Sequence, residues 1–498
     1  MEAVDRRLSL VAGGHRLLEE GPYFSQESGL DFDSPSQSDF VTEYVKKVQL
    51  ELARKVTRAS HSAYFISAFE YLIYLFLTAQ RKKACPEDQM KALANIQGVL
   101  AGIRTFGPVR CSGLEANFAG SSVSAMAVEG SDIDMCVEGT IVDAPYNTWE
   151  DGSGAPSFKL SGVVRFSKQK FLHVLADKLE ESEIATNLER VMHARIPVFN
   201  YVDKMTGLHC DVIVGGPESR IKPTVLGLLG HVDWRFQCLV RLVKIWAKNF
   251  NLIDASCGFL NSYSLTLLVL FHLQTRPIQV LPSISSLVAN AQRPLSGDST
   301  NAEGCLRFCE SLLEGIQRHL SAKNRRQNKE TLCELFLSFV SFLHGILEAP
   351  KELAAELGIS SSDVMQYLRI DTWNARFKYS RVAPTNGHTY HLWVEDPLDS
   401  SPDNASRSLS LSGAEDLLSA SKRAHSDFVE KVCKAEKPTI LSLLEYFDCM
   451  FGSDASGSAR REYHSSESKN GQFLIVRVPF PKDGSDGVSR HSCFFFSS

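Results

Sequence analysis

The sequence predicts an α/β protein in which a small mixed sheet is followed by a mainly helical part. Residues 117–137 show the pattern of a strand, a turn, a short helix and a second strand. Residues 195–201 and 208–214 have the pattern of two strands joined by a glycine-containing turn. From residue 216 to about residue 368 the apolar residues recur with helical spacing. These observations predict the fold class.

The composition is that of a globular protein large enough for two domains. The 498 residues are 44% hydrophobic and 22% charged, both ordinary values. The net charge of −5 at pH 7 argues against uniform coating of nucleic acid but permits a local basic groove. Cys305 and Cys309 have no second Cys or His pair to complete a zinc site. Reduced thiols are expected, and hence a cytoplasmic protein, with the nucleus as the alternative.

The apolar segments do not predict a membrane protein. Residues 1–20 are charged and lack the apolar run of a signal peptide. Residues 64–78 are the most apolar stretch, but they are short for a bilayer span and include Glu70. We interpret them as a buried helix, and no membrane partner is expected.

The other elements follow from periodicity and composition. Residues 139–163 are rich in Gly, Pro, Ser and Asp and predict a surface loop. Helical patterns are assigned to residues 40–84, 86–104, 167–180, 184–192 and 440–451. Pro86 and the two acids after it suit a helix start. The predicted domain boundaries lie where the periodicity and the composition of the sequence change. They give a flexible N-terminal segment (1–40), a sheet-containing domain (60–215), a helical domain (41–59 and 216–408) and a largely disordered Ser-rich tail (409–498).

Three acidic residues indicate a metal site. In Asp132-Ile133-Asp134 the two carboxylates lie at i and i+2, which face the same side of a strand. Carboxylate oxygens and substrate phosphates are the ligands that Mg²⁺ prefers. Asp211 lies in the otherwise apolar run 208–214, where a buried acid is costly unless something binds it. A third carboxylate from a neighbouring strand would complete a two-metal site. An isolated Asp-x-Asp is more often an ordinary polar turn, but the glycine turn before it favours the site.

That turn is Gly120–Ser121, and it suits phosphate binding. Glycine allows the backbone to approach a phosphate closely. The Ser121 hydroxyl and the amides of the following short helix suit the β- and γ-phosphates. Further along, Lys244 and Lys248 lie one turn apart on a predicted helix, with Arg241 on the same face. Such a row either neutralises a triphosphate or is a solvated helix face.

Together these motifs resemble the DNA polymerase β-type nucleotidyltransferase superfamily, and within it the noncanonical poly(A) polymerases and terminal uridylyltransferases. The resemblance covers about residues 45–408 and implies a polymerase β-like palm with a second, mainly helical poly(A)-polymerase-associated domain. Four motifs carry it in order: 118–121 with 131–134, 194–197 ahead of Asp211, 242–248 with 258–264, and 393–399.

The resemblance implies roles for particular residues. Asp132, Asp134 and Asp211 would hold Mg²⁺, with Mn²⁺ as an alternative, and Asp211 would help to activate the attacking hydroxyl. From the residues alone, Tyr263 fits a packed core aromatic and Asp396 a polar turn. The resemblance instead assigns nucleotide contacts to seven residues: Gly120, Ser121, Lys244, Lys248, Ser262, Tyr263 and Asp396. Tyr263 would stack on the base, and Asp396 would lie near its edge.

Three departures from the family pattern concern the nucleotide. Ala125–Met126 replaces the usual Gly-Leu. The usual Asn residues after the third acid are replaced by Gly215-Gly216-Pro217, and Pro223 precedes Thr224, which puts ribose recognition in doubt. The His that uridine-preferring members often carry before an Asn is absent from Pro402-Asp403-Asn404, where one extra residue stands. The choice between UTP and ATP is therefore open.

The predicted function is template-independent addition of UMP or AMP to an RNA 3′-hydroxyl by a two-metal mechanism. The expected partners are UTP or ATP and an RNA 3′ end, with a monomeric enzyme directed to its RNA by protein adaptors. The main alternative is a decayed family member that binds RNA without catalysis. A transferase acting on a small molecule or making a short oligonucleotide, and a purely structural helical protein, are further alternatives.

Overall fold

The structure is a computed structural model of the chain. It describes residues 35–57, 62–83, 86–106, 109–142, 157–160, 165–288, 293–295, 302–322, 326–357, 364, 368–379, 389–399, 403–433, 440–452, 455, 473–479 and 491–497. The predicted N-terminal segment therefore lies almost entirely outside the described residues, and so does most of the predicted loop 139–163. Its described ends, 139–142 and 157–159, belong to strands, so the loop prediction is wrong there.

Helices and strands alternate in the first half of the described chain, and helices dominate the second half. The helices are α1 (Pro35–Thr57), α2 (Ser62–Lys83), α3 (Pro86–Gly102), α4 (Gly120–Val123), α5 (Arg165–Glu181), α6 (Pro217–Leu229), α7 (Arg235–Asn249), α8 (Ser262–Gln274), α9 (Ile284–Leu287), α10 (Ala302–Ser321), α11 (Leu332–Leu357), α12 (Leu411–Asp427) and α13 (Ile440–Phe451). The strands are β1 (Thr105–Phe106), β2 (Val109–Phe118), β3 (Ile133–Val142), β4 (Ser157–Lys159), β5 (Ala185–Val191), β6 (Val198–Asp203), β7 (His209–Val214), β8 (Leu368–Asp371), β9 (Arg376–Tyr379), β10 (Phe473–Pro479) and β11 (His491–Ser497).

Strands β1 to β7 form one mixed sheet. Its order is β1-β2-β3-β7-β6-β5, and β4 pairs with β3. The pair β3 and β7 is parallel, whereas β2 with β3 and β6 with β7 are antiparallel. Alternate residues of β3 and β7, such as Met135 and Val212, are buried in a core shared with α3 and α5. We call this sheet and these two helices the palm. The predicted α/β class is confirmed.

The remaining helices share a second hydrophobic core, and we call them the helical lobe. Trp246 of α7, Phe271 of α8 and Phe336 of α11 are all buried in it. Helix α11 contains Leu332–Ala355, which is long and apolar enough to cross a membrane by length and composition, yet most of it is buried against other helices. Its apolar character therefore follows from its central position in the lobe.

Helix α2 lies within the predicted palm domain, yet it packs into the core of this lobe. Phe69 is fully buried, and its ring centroid lies 5.6 Å from that of Tyr446 and 5.5 Å from that of Phe447. The Glu70 carboxylate accepts a hydrogen bond from the backbone N–H of Cys333, 2.8 Å away, at the start of α11. The prediction of a buried helix over 64–78 is correct, but its partners lie hundreds of residues away and local sequence does not reveal them.

The prediction of a largely disordered tail over 409–498 is wrong for residues 410–433, whereas the helix predicted over 440–451 is confirmed. Helix α12 starts at a capping serine, because Ser410 Oγ accepts from the Gly413 N–H at 3.1 Å. A π-helical turn at Phe428–Cys433 and α13 follow, and Phe428 and Phe447 are buried in the helical core. Further on, β10 and β11 pair with each other in antiparallel register. Serine content predicts disorder here, but several of these serines cap helices or bond to helix carbonyls.

The predicted helix over 184–192 is also wrong, since these residues form β5. The sequence contains good helix formers such as Leu188 and Glu189, which explains the error. The segment instead pairs with β6 and adopts an irregular register between Thr186 and Glu189. Asn187 has a positive φ of 52°, a conformation that Asn tolerates better than most residues. Pairing at the sheet edge overrides the local preference.

Candidate active site and nucleotide cleft

The three predicted acids come together at the centre of the sheet. Asp134 of β3 and Asp211 of β7 are register partners on adjacent parallel strands. Their neighbours Met135 and Val212 point into the palm core, so both carboxylates lie on the opposite face. Asp132 precedes β3 directly, two residues before Asp134. The structure therefore brings the predicted carboxylates to one face, as the i, i+2 argument requires.

Burial and mutual repulsion disfavour the charged form of Asp134 and Asp211. Burial, followed by the charges of Asp132 and Asp134, raises the pKa of Asp211 to about 7. Burial and the charge of Asp132 also raise the pKa of Asp134, while the backbone N–H of Ser121 and the charge of Lys244 oppose the rise. Carboxylates with raised pKa values in one small volume are the arrangement that a bound cation stabilises.

The site is not a preformed metal cage. Within the described part of the chain, no three His, Cys, Asp or Glu side chains are grouped closely enough to hold an ion. Like-charge repulsion, visible in the raised pKa values of Asp134 and Asp211, opposes a closer approach in the absence of a cation. The donors nevertheless fit, because they are all carboxylate oxygens on one face, which is the chemistry that Mg²⁺ prefers.

The Gly120–Ser121 turn packs directly against Asp134. Gly120 has a φ of +53°, and a Cβ built on it would lie 1.8 Å from Asp134 Oδ2. The backbone N–H of Ala119 donates to the Asp134 carbonyl oxygen at 2.8 Å, and that of Ser121 donates to the Asp134 carboxylate. Only glycine both adopts this positive φ readily and leaves room for the Asp134 carboxylate at residue 120. The motif predicted to bind phosphate is therefore positioned by the acid beside it.

The loop after this turn carries a strained residue. Ala125 has a φ of +58°, a conformation that favours glycine. This is the position where the family pattern has glycine, so the structure explains the pattern and shows that this chain departs from it at some cost. Met126 follows with 1% exposure and is buried in the helical core. The loop is thus anchored in the helical lobe although it starts in the palm.

The three predicted cations of α7 hold the same loop. Arg241 Nη2 donates to the Ala125 carbonyl oxygen, Lys244 Nζ to that of Met126 at 3.3 Å, and Lys248 Nζ to that of Gly130 at 3.0 Å. Burial, with the charges of Lys248 and Arg241, lowers the pKa of Lys244 to about 8, while Asp134 opposes the shift. Lys244 is thus close enough to the acids to feel their charge. The row is therefore more than a solvated face, and its contact with phosphate stays a prediction.

The predicted base-binding residues meet at another part of the helical lobe. Tyr263 Oη donates to Asp396 Oδ1 at 3.1 Å, and burial together with Asp396 raises the pKa of Tyr263. The Asn261 side chain caps α8 by accepting from the Ser264 N–H at 2.7 Å, which places Ser262 exposed at the first position of the helix. The structure brings Tyr263 and Asp396 together, and no described contact joins Ser262 to either.

Gly215 has a steric reason to replace the expected side chain. A Cβ at residue 215 would lie 2.0 Å from Ser219 Oγ and 2.7 Å from Cys136 Sγ. The Gly215 N–H also donates to the Val137 carbonyl oxygen at 3.2 Å, which extends the pairing of β3 with β7. A side chain at residue 215 would therefore require Ser219 and Cys136 to shift.

Two interactions in the cleft were missed by the sequence analysis. Lys222 of α6 forms a salt bridge with Asp396. Arg195, in the turn between β5 and β6, forms one with Asp403. Lys222 lies next to Pro223, and Arg195 lies within the motif 194–197, both of which the sequence did single out. Their partners are 174 and 208 residues away, and a single sequence gives no signal for such pairs.

Comparison with known proteins identifies the palm. Residues 71–218 match the family described as poly(A) RNA polymerase, mitochondrial-like, central palm domain. The palm is therefore similar to the central palm domain of this family. The resemblance to noncanonical poly(A) polymerases and terminal uridylyltransferases is thereby confirmed for the palm. The matched region contains Gly120, Ser121 and the three acids.

Relatives and solved structures agree with this assignment. The chain is 32% identical to protein HESO1 of Arabidopsis thaliana over 49% of this chain and 44% of that protein. It is 28% identical to the human mitochondrial poly(A) RNA polymerase over 45% of this chain and 37% of the relative. The chain thus matches less than half the length of either relative.

Two structural similarities show the fold. A crystal structure of an mtPAP mutant with ATPγS has a TM-score of 0.53 at 16% identity, over 80% of this chain and 73% of that one. A structure of Cid1, an RNA terminal uridylyl transferase, has a TM-score of 0.50 at 17% identity, over 76% of this chain and 97% of that one. The palm and the helical lobe together therefore have the fold of these two structures.

Proposed function

We propose that the chain is a template-independent RNA 3′-terminal nucleotidyltransferase that adds UMP or AMP from the nucleoside triphosphate. The observation that carries the proposal is the register pairing of Asp134 with Asp211, with Asp132 beside them and Gly120 against Asp134. A decayed site would not be expected to keep all three acids on one face with a glycine fitted around one of them. The relatives named poly(A) RNA polymerase support the same reaction class.

Different residues of the site have different roles in the proposed reaction. The RNA 3′-hydroxyl attacks the α-phosphorus and forms a new P–O bond, while the bond to the leaving pyrophosphate breaks and its electron pair leaves with pyrophosphate. Asp211, opposite Asp134 on the neighbouring strand, would help to activate the attacking hydroxyl through a bound metal ion. Asp132, Asp134 and Asp211 would hold Mg²⁺, or Mn²⁺, which would supply stabilisation of negative charge on the reacting phosphate.

The phosphates and the base would be held by separate elements. Gly120 and Ser121 would present the turn to the triphosphate, and Lys244 and Lys248 would add positive charge from α7. Ser262 would contact the triphosphate from the start of α8. Tyr263 supplies an aromatic face for the base. Positioning and charge stabilisation are the main means of catalysis in phosphoryl chemistry.

The cellular setting belongs to the same proposal. Cys111, Cys210 and Cys333 are among the described cysteines with free thiols, which suits a reducing compartment, the cytoplasm or the nucleus. We propose a monomeric enzyme directed to its RNA by protein adaptors. Size-exclusion chromatography with light scattering tests the monomer, since a dimer mass at micromolar concentration would contradict it.

A primer-extension assay tests the proposed activity. The purified chain is incubated with a labelled short RNA, Mg²⁺ or Mn²⁺ and each nucleoside triphosphate in turn, and the products are resolved on a denaturing gel. A ladder with UTP or ATP is expected, and the Asp132→Ala/Asp134→Ala variant should lose it while still binding RNA. Asp416→Ala, an exposed acid on α12, is the matched control and should keep it. No extension with any nucleotide by a folded, RNA-binding wild type would favour the decayed binder.

A further inference from the structure

A lysine that the sequence did not single out lies beside the predicted base subsite. Lys222 Nζ is 2.5 Å from Asp396 Oδ2 and 5.4 Å from the centre of the Tyr263 ring. The Lys222 side chain is 33% exposed, whereas that of Asp396 is 2% exposed. We call Lys222, Tyr263 and Asp396 the Lys222 cluster. Of its two charged members, only the lysine is accessible to a ligand.

The Asp396 carboxylate is already fully engaged. Its Oδ1 accepts from Tyr263 Oη at 3.1 Å and from the Leu398 N–H at 3.0 Å, and its Oδ2 accepts from Lys222. A buried carboxylate needs such partners to stay charged. Asp396 is therefore suited to hold Tyr263 and Lys222 in place, and poorly placed to meet the edge of a base itself.

The Lys222 ammonium retains donors for another partner. An ammonium has three N–H donors and no acceptor, and Asp396 uses one of them. Because the ammonium lies over the face of Tyr263, a base stacked at Tyr263 would bring one edge close to Lys222. A donor-only group at that edge favours a carbonyl oxygen and disfavours an amino group.

We propose that Lys222 is a specificity-determining residue that selects uracil by donating a hydrogen bond to its O4 carbonyl. This inference rests on the proposed nucleotidyl transfer and names the nucleotide that the same cleft takes. Uracil presents a carbonyl where cytosine and adenine present an amino group. An amino group facing a donor-only ammonium leaves both without an acceptor, and such mismatches discriminate strongly in buried sites. In the family pattern a histidine selects uracil. This chain lacks that particular histidine, and Lys222 would select uracil instead.

A purely structural role for Lys222 is the rival explanation, because it neutralises the buried Asp396. Loss of the lysine alone would then leave an unpaired buried charge and harm the fold. The double variant Lys222→Met/Asp396→Asn separates the two roles. It removes both charges, and the Asn side-chain oxygen can still accept from Tyr263 and the Leu398 N–H. Lys222→Arg keeps the positive charge and serves as the conservative control.

Binding of UTP and CTP to the full chain, in Mg²⁺ and without RNA, tests the inference. The two nucleotides have the same size and differ at the pyrimidine only in the O4 carbonyl against the amino group and in the N3 proton. Isothermal titration calorimetry of the wild type is expected to show UTP bound at least about tenfold more tightly than CTP. In the double variant the ratio should fall to within about threefold, with an unchanged melting temperature. Lys222→Arg should retain most of the preference for UTP.

The outcomes separate this inference from the proposed function. A double variant that folds and keeps the wild-type ratio would show that Lys222 is only a counter-ion. Equal binding of UTP and CTP by the wild type would also overturn the inference, while leaving nucleotidyl transfer intact. Failure of the wild type to bind any nucleoside triphosphate would instead contradict the proposed function itself.

Discussion

Arg195 Nη1 lies 2.9 Å from Asp403 Oδ2 and joins the palm to the helical lobe. Arg407 contacts the same carboxylate from within the helical lobe, at 3.0 Å from its Oδ1. Although burial opposes it, the hydrogen bond from Arg195 and the charge of Arg407 lower the pKa of Asp403. Uridine-preferring relatives often carry a histidine directly before an Asn at this place. In this chain Asp403 directly precedes Asn404. An ion pair between the two lobes thus occupies that part of the cleft.

This ion pair is expected to contribute little to stability. Arg195 is 63% exposed and Asp403 27%, so solvent and salt screen their attraction. A double-mutant cycle with Arg195→Ala and Asp403→Ala should give a coupling energy of about 0.2–1 kcal/mol in the free energy of unfolding at low salt. The coupling should shrink in about 1 M NaCl. A larger coupling that is insensitive to salt would show that the contact is more buried and better packed than described.

Gly120→Ala is expected to abolish transfer. The new Cβ would lie 1.8 Å from Asp134 Oδ2, and the φ of +53° disfavours alanine. The displaced carboxylate should lower kcat by at least about a hundredfold, as for loss of a charge-stabilising group. The matched control is Gly98→Ala in α3, where an added Cβ has nothing within 4 Å. It should keep full activity and gain slight stability from the better helix former. Normal activity of Gly120→Ala would refute the described packing.

Ala125→Gly should stabilise the protein. Its φ of +58° costs a residue with a Cβ about 1 kcal/mol, more than the chain entropy that glycine adds to the unfolded state. The free energy of unfolding from urea titration is expected to rise by about 0.5 kcal/mol. Ala414→Gly, within α12, is the comparison and should lose about 1 kcal/mol. Destabilisation by both substitutions would mean that Ala125 does not adopt the left-handed conformation.

Stability of the metal-free protein should decrease as the pH rises towards neutrality. Asp211 has a folded-state pKa of about 7, against 3.8 for an ordinary Asp, so the folded state binds the proton more tightly than the unfolded state. Its contribution to stability is complete below about pH 4 and is lost as the pH rises through about 7. Thermal unfolding in EDTA from about pH 5 to about pH 8 should show this fall, and Asp211→Asn should reduce it. Identical pH profiles for the two proteins would contradict the raised pKa.

The local parts of the site were predictable from sequence. Gly120–Ser121 and Asp132-Ile133-Asp134 are short patterns whose geometry depends on neighbours a few residues away, and their predicted strand-turn-helix-strand arrangement is confirmed. Asp211 was identifiable because an acid in an apolar strand requires a partner. The order of strands in the sheet decides which strand lies beside β7. That strand is β3, so Asp211 lies opposite Asp134.

The long-range parts were not predictable. The sequence shows that α2 is apolar, but only the structure shows that Phe69 packs on Tyr446 and Phe447. Serine content alone suggested a disordered tail, because the capping role of Ser410 depends on a helix that tertiary packing stabilises. The strand β5 has helix-forming residues, and its pairing with β6 decides its conformation. In each case the deciding contact is far away in sequence.

The loop from Ser121 to Met126 is fixed at both ends to different lobes. The backbone N–H of Ser121 is bound to Asp134 in the palm, and the Met126 side chain is buried in the helical core. Only five Cα–Cα steps separate these two anchors, and five residues span at most about 18 Å when fully extended. The loop is therefore a tether of known reach. The two lobes can separate at these anchors only as far as the extended loop reaches, unless Met126 leaves its core or Ser121 leaves the acid.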